Sequence, residues 1–201
     1  MQRLDEDKKN MNIITQNKNI FLIALAVALI LLVPFIAMQF SDEVAWSPFD
    51  FAFAGALLFG TGLAFELISR KSSTIAYRAA VGVALVAAML LVWINLAVGI
   101  IGSEDNPANK MYLGVLAILI LGARIVRFQP QGMARVLFAT ALAQVVVLVI
   151  ALIIWKPEIT STEALLDVLR VMGVNAFFVV MWVGSGLLFQ RADATPNRRL
   201  E

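Results

Sequence analysis

Apolar residues run along this chain in blocks of about twenty, broken by short polar stretches, with no two-residue alternation inside a block. The run "LIALAVALILLV", Leu22 to Val33, is apolar on every side. A helix rises about 1.5 Å per residue, so a block of this length crosses a hydrocarbon core about 30 Å thick. Barrel strands would instead alternate over about ten residues. The pattern predicts an all-α polytopic membrane protein with six transmembrane helices, at Ile20–Phe40, Phe51–Ser69, Tyr77–Ile101, Met111–Phe128, Met133–Trp155 and Val171–Gln190. Joined in sequence they would form three consecutive hairpins. Residues 1–19 are expected to be a disordered arm, 20–190 the membrane domain and 191–201 a tail. The first block exceeds the 7–15 residues usual for a signal-peptide core, and "AMQFSDE" offers no A-x-A cleavage site, so it is expected to stay as an anchor.

Basic residues orient these spans. Arg3, Lys8, Lys9 and Lys18 precede the first span, and Arg70, Lys71 and Arg78 follow the second. Arg124, Arg127 and Arg135 follow the fourth, and Arg191, Arg198 and Arg199 follow the last, leaving Lys110, Lys156 and Arg170 for the opposite side. Both termini are therefore expected in the cytoplasm, and the net charge of +2 reflects topology rather than a nucleic-acid partner. At 61% hydrophobic, the chain lies above the roughly 45–50% of soluble domains.

The three outward bends carry helix-start chemistry. "SPFD" sets Ser47 as N-cap, Pro48 at the first helical position and Asp50 as the returning acceptor. "NPAN" repeats this with Asn106, Pro107 and Asn109, and "TSTE" offers Thr160 with Glu163. The following "EALLDVLR" reads as a short interfacial helix feeding the last span. The matching bends also suggest a repeat. "GTGLAFE" from Gly60 aligns with "GSGLLFQ" from Gly184 at an offset of 124 residues, and half that offset, about 62, takes Gly60 to Gly122.

Cysteine and histidine are both absent, which excludes disulfides, thiolate metal sites, haem ligation and Ser–His nucleophiles. No cofactor or metal is expected, and no catalytic constellation is present, so an enzyme is the least favoured class. Intramembrane polar groups need a reason, because a charge at the bilayer centre costs roughly 2.5–3.5 kcal/mol on insertion scales. Glu66 reads either as a proton- or cation-binding carboxylate or as the partner of Arg70 one turn on, and its place near the helix end favours the pair. Asn95, Gln144 and Asn175 read as substrate or ion contacts, or more commonly as interhelical hydrogen bonds. Small-residue stripes at Ala56, Gly60, Ala64 and at Ala80, Ala84, Ala88 suggest that the second and third spans touch. In the second bend, Glu104, Asp105, Asn106 and Asn109 could hold a divalent cation or meet a partner at the outer face. Their spacing lacks the alternation of an EF-hand, which favours a capped turn.

From Val98 to Gln144 the sequence "VGIIGSEDNPANKMY…ARIVRFQPQGMARVLFATALAQ" resembles a family of small bacterial inner-membrane proteins that share the GSEDNPAN turn and an "RPxGMAR"-like loop, here "RFQPQGMAR". The resemblance implies the bacterial cytoplasmic membrane and carries no activity. Two functions fit the residues. One is a small carrier or channel for a lipophilic or small solute, since many transporters are built from repeats. The other is a non-catalytic accessory subunit docking a membrane complex. Expected partners are the bilayer, anionic headgroups at the arginine-rich face, and a second copy or a larger complex.

Overall fold

In a computed structural model of the chain, the backbone is described for residues 2–41, 44–102, 105–155 and 162–194, with the side chains of residues 1–17 and of Trp155 outside that description. The described residues contain helices and loops and no strand. In order they form α1 (Gln2–Phe40), α2 (Pro48–Ser69), α3 (Ile75–Ala97), a 3₁₀ turn (Pro107–Lys110), α4 (Met111–Ile125), α5 (Pro130–Trp155) and α6 (Thr162–Ala194). Six stretches are long and apolar enough to cross a membrane: Lys18–Phe40, Pro48–Ser69, Ile75–Ala97, Pro107–Ile125, Pro130–Ile154 and Thr162–Ala194. "EALLDVLR" is not a separate interfacial helix. It is the first part of α6, whose 33 residues reach about 50 Å, well beyond one hydrocarbon core.

Proline sets three of the starts, because its missing N–H is unneeded in a first turn. Pro48 opens α2, Pro107 opens the 3₁₀ turn and Pro130 opens α5. At α2 the capping box forms as read. The backbone N–H of Ser47 donates to Asp50 Oδ2 at 2.7 Å, its hydroxyl donates to the same oxygen at 2.8 Å, and the N–H of Asp50 donates to Ser47 Oγ at 3.3 Å. Thr160, expected to cap α6, lies outside the described residues, and the helix begins at Thr162.

The chain divides into two units, Met1–Leu67 and Ile68–Glu201. In the first, α1 and α2 run antiparallel. Asn19 meets Glu66, Ile23 meets Gly62, Leu31 meets Gly55 and Phe35 meets Phe51, so each step up one helix is a step down the other. Glycine supplies the close approach. A Cβ on Gly62 would lie 2.7 Å from Ile23 Cγ2, whereas a Cβ on Gly60 would meet nothing within 4 Å. Gly60, in the expected stripe Ala56–Gly60–Ala64, thus lies off the face that α2 turns to α1. Gly55 and Gly62 carry the contact, and the helix they face is α1.

In the second unit α6 packs against α3 and α5, and α5 also packs against α4. The buried face of α6 runs Val168, Val171, Asn175, Phe178, Trp182, Ser185, Phe189, Ala192. Those steps of three and four residues make a heptad seam, which lets helices coil around each other with knobs in holes. On α3 the seam is Tyr77, Ala80, Ala84, Ala87, Leu91. Ser185 donates its hydroxyl to the Ala80 carbonyl at 2.8 Å, and the Tyr77 and Phe189 rings meet edge to face at 5.2 Å, so α3 and α6 are antiparallel. Gly186 lets α6 approach Phe138 of α5, and Gly122 lets α4 approach Val136.

The surface is apolar where a soluble protein's is polar, and a few polar side chains sit within the apolar core. Thr140, Gln144, Asn175 and Ser185 are buried, while Phe21, Val33, Leu121, Ile154 and Val180 are exposed. Lipid tails give helices no hydrophobic reason to associate, so packing and interhelical hydrogen bonds supply it. This chain is a multi-pass helical membrane protein in its composition, its spans and its surface.

Candidate functional site

Three polar side chains inside the second unit, Tyr112, Gln144 and Asn175, meet at Asn175. Its Oδ1 accepts from the Tyr112 hydroxyl and from Gln144 Nε2, both at 3.0 Å, and its Nδ2 donates to the Val171 carbonyl at 2.8 Å. All three side chains are almost fully buried, and Gln144 Oε1 has no hydrogen-bond partner. Two of the predicted residues, Gln144 and Asn175, are therefore brought together, and α4, α5 and α6 are tied at one point. Tyr112 was missed because a tyrosine at a span end reads as an interfacial anchor. The signal that finds it is its register with Val115 and Leu119 on the buried face of α4.

The other candidates stand apart from this point. Asn95 is not deep. It lies in the last turn of α3, half-buried, with Oδ1 unpartnered. Glu66 belongs to the first unit, where its Oε1 accepts from Asn19 Nδ2 at 2.7 Å. A neutral amide donor from α1 thus stands at this carboxylate, a partner that the reading of Glu66 beside Arg70 did not include.

The GSEDNPAN bend is a turn built around two asparagines. Asn106 caps the 3₁₀ turn, accepting from the N–H of Ala108 at 3.0 Å. Asn109 is buried, and its Oδ1 accepts from the N–H groups of Ile100 and Ile101 at 3.1 and 2.9 Å, while Nδ2 donates to the Ile101 carbonyl at 3.4 Å. Its amide is occupied in folding the chain back. Gly99 and Gly102 provide the positive φ angles, 75° and 67°. Asp105 is exposed, and Glu104 lies outside the described residues.

Two cavities occupy the end of the second unit where α3 and α5 start and α4 and α6 stop. The first, about 260 Å³, is walled entirely by apolar side chains, among them Val81, Ala84, Leu85 and Ala88 of α3 and Leu119, Ile120 and Ala123 of α4. The stripe Ala84–Ala88 opens this space instead of closing a helix contact, because alanines facing Ala123 leave the gap unfilled. Ile120 on its rim is 63% exposed, so the cavity meets the lipid-facing surface. The second cavity, about 400 Å³, is polar and lined by Lys71, Ser72, Thr74, Tyr77, Arg127, Gln129 and Asp193. Phe128 belongs to both walls. Neither wall includes Glu66, Asn95, Gln144 or Asn175.

Between the cavities the α4–α5 bend is strained. Arg127 and Phe128 have φ of 52° and 62°, a conformation that costs non-glycine residues about 1–2 kcal/mol each. The bend ends α4 in a Schellman motif, with Phe128 N–H donating to Ala123 and Arg127 N–H to Arg124 at 3.1 and 3.2 Å. Three further contacts hold it. The Tyr77 hydroxyl donates to the Phe128 carbonyl at 2.9 Å, Lys71 Nζ donates to the Arg127 carbonyl at 3.3 Å, and the same ammonium sits 4.6 Å from the Phe128 ring centroid.

No protein-family model, curated protein or solved structure matches this chain, so the resemblance at the GSEDNPAN turn rests on those residues alone.

Proposed function

We propose that this chain is a non-catalytic binder or carrier of a lipophilic molecule in the bacterial cytoplasmic membrane. The observation that carries this reading is the all-apolar cavity between α3 and α4, open at Ile120 toward lipid. A hydrated path would need a polar lining, and the buried polar side chains among the described residues, all neutral, lie outside that wall. In this reading both termini are cytoplasmic. Support comes from the second unit, where among the described residues Arg70, Lys71, Arg78, Arg124, Arg127, Arg135 and Arg191 lie toward the cavity end and Lys110 and Arg170 toward the other. Anionic headgroups would then gather at the cavity end. We also propose the hairpin repeat for the second and last spans. Gly62 and Gly186, equivalent at the offset of 124, each seat a side chain of the preceding helix, whereas Gly122 seats one of the following helix.

The test is binding and transfer by the full-length chain. Purified protein in liposomes should move a fluorescent single-chain lipid between leaflets, and Ala88→Phe should stop it by filling the cavity. Absence of both transfer and lipid binding in the wild type would sink the reading. Cysteines introduced at Ser73 and Asp105 test orientation, since a membrane-impermeant thiol reagent applied outside cells should label only the second.

A docking subunit is the second reading. It is favoured by α1, none of whose Lys18–Phe40 window is buried. Isolation in mild detergent yielding only this chain would exclude it.

A further inference from the structure

The two cavities share Phe128, and their chemistry changes across it. On one side the wall is wholly apolar. On the other it carries two cationic side chains, Lys71 and Arg127, hydroxyls from Ser72, Thr74 and Tyr77, and one carboxylate, Asp193. We infer that together they form one site for an anionic amphiphile, with a single hydrocarbon chain between α3 and α4 and its headgroup against Lys71 and Arg127. This deepens the reading of the chain as a lipophile binder and rests on it.

Size fixes the tail. A water-sized group takes about 30 Å³ in a liquid, so 260 Å³ admits on the order of nine such groups, enough for one chain segment and too few for two. Access fits as well, since Ile120 on the rim is exposed and a chain can slide in sideways from the bilayer without dragging its head through it.

Charge fixes the head. Lys71 and Arg127 are both exposed toward the polar cavity. Lys71 spends one proton on the Arg127 carbonyl and keeps two donors for a ligand. Asp193 opposes the pair and leaves a net single positive charge, which suits a head of one to two negative charges. Position agrees too. The polar cavity lies at the helix ends, by the start of α3 and α5 and the last turn of α6, and the apolar one reaches deeper, along Val81–Ala88 of α3, the order in which a lipid of that leaflet places its head and its chain. The left-handed bend at Arg127 and Phe128 aims the arginine and the shared ring into the junction of the two at a cost in strain, and such outliers collect at ligand clamps.

The test uses the full-length chain in a neutral maltoside detergent, titrated by native mass spectrometry. The probes are palmitoyl lysophosphatidate, palmitoyl lysophosphatidylcholine and inorganic phosphate. Near a surface each basic side chain contributes roughly fivefold, so two should favour the anionic lysolipid by roughly 30-fold. Lys71→Gln with Arg127→Gln should bring that ratio below threefold while leaving lysophosphatidylcholine binding within twofold. Asp193→Asn should raise the ratio several-fold, and Arg78→Gln, at the same end but in neither wall, should leave it unchanged. Ala88→Phe, or Ala88→Leu where the larger ring is not tolerated, should abolish binding of both lysolipids.

A ratio that survives the double substitution, or that falls equally with Arg78→Gln, overturns the assignment. So does phosphate alone competing as well as the lysolipid. If Ala88→Phe blocks both lipids but the wild type shows no head preference, the apolar site stands and this inference fails. If Ala88→Phe leaves both bound, the two readings fail together.

Discussion

Replacing Gln144 should be near neutral in one background and stabilising in another. In the wild type its amide donates one hydrogen bond to Asn175 and leaves Oε1 unpartnered in the core. Gln144→Leu removes a bond worth about 0.6–1.7 kcal/mol between membrane helices, and with it an orphan acceptor whose burial costs about 1–3 kcal/mol. The two nearly cancel, so the single change should fall within about 1 kcal/mol of neutral. Asn175→Leu differs. It strips the acceptor from both Tyr112 and Gln144, for an expected loss of about 1–3 kcal/mol. The whole Gln144 amide is then unpaired. In that background Gln144→Leu should stabilise, by about 1–3 kcal/mol, because it now deletes buried polar atoms and sacrifices no bond. Reversible unfolding in mixed dodecyl sulfate and neutral-detergent micelles, run on the four variants of this cycle, reads the coupling directly. Equal effects of Gln144→Leu in both backgrounds would show that the amide does not speak to Asn175, and the network as drawn would be wrong.

Glycine substitutions should separate by register rather than by span. Gly62→Ala and Gly186→Ala push a Cβ to 2.7 Å from Ile23 and 3.0 Å from Phe138 and should each destabilise by about 1–3 kcal/mol, while Gly60→Ala and Gly184→Ala, facing open space, should gain about 0.5–1 kcal/mol in the same unfolding assay. Arg127→Gly should stabilise by about 0.5–1 kcal/mol, since relief of a left-handed φ outweighs the added freedom of the unfolded chain, and a loss of stability would mean that the arginine side chain anchors the bend. Ser47→Ala should cost about 1 kcal/mol by removing a cap to α2, read as faster hydrogen exchange at Asp50.

Hydropathy blocks were enough to place five of the six spans within a few residues, because lipid thickness and backbone hydrogen bonding leave a greasy block no alternative. The last starts at Thr162, well before the expected Val171. Which face meets which was harder to read. On α2 the small residues at 56, 60 and 64 make as good a stripe as 55 and 62, and only the partner's side chains distinguish them. On α3 the stripe at 80, 84 and 88 was visible, but not what it faces: Ala80 meets Ser185, and Ala84 and Ala88 border a cavity. The heptad seam on α6 could have been traced from Val168 to Ala192, and it would have set Asn175 and Ser185 in the core. The cavity could not, since its walls come from five helices and its size depends on what fails to fill it. The bend at Arg127 hid for another reason: helix ends of this shape favour glycine at the left-handed position, and an arginine there points away from the reading that the backbone adopts.

These features divide the second unit along its length. Asn109 fixes the start of α4 to the Ile100–Ile101 turn, and Asn175 joins Tyr112 of the same helix to α5 and α6. Polar pinning therefore concentrates at the end of α4 that begins at Met111. Along α5, Gln144 stands about 16 Å beyond Met133, which borders the apolar cavity. At the cavity end Ala84 and Ala88 of α3 and Ala123 of α4 leave the gap, and the polar link beside it is the Tyr77 bond to the Phe128 carbonyl at the bend. In lipid nothing hydrophobic pulls such a gap shut. A chain entering there replaces missing packing without breaking any hydrogen bond of the pinned end. Any widening of the gap must then swing the far end of α4, and with it the strained bend at Arg127 and Phe128 that Tyr77 and Lys71 hold in place.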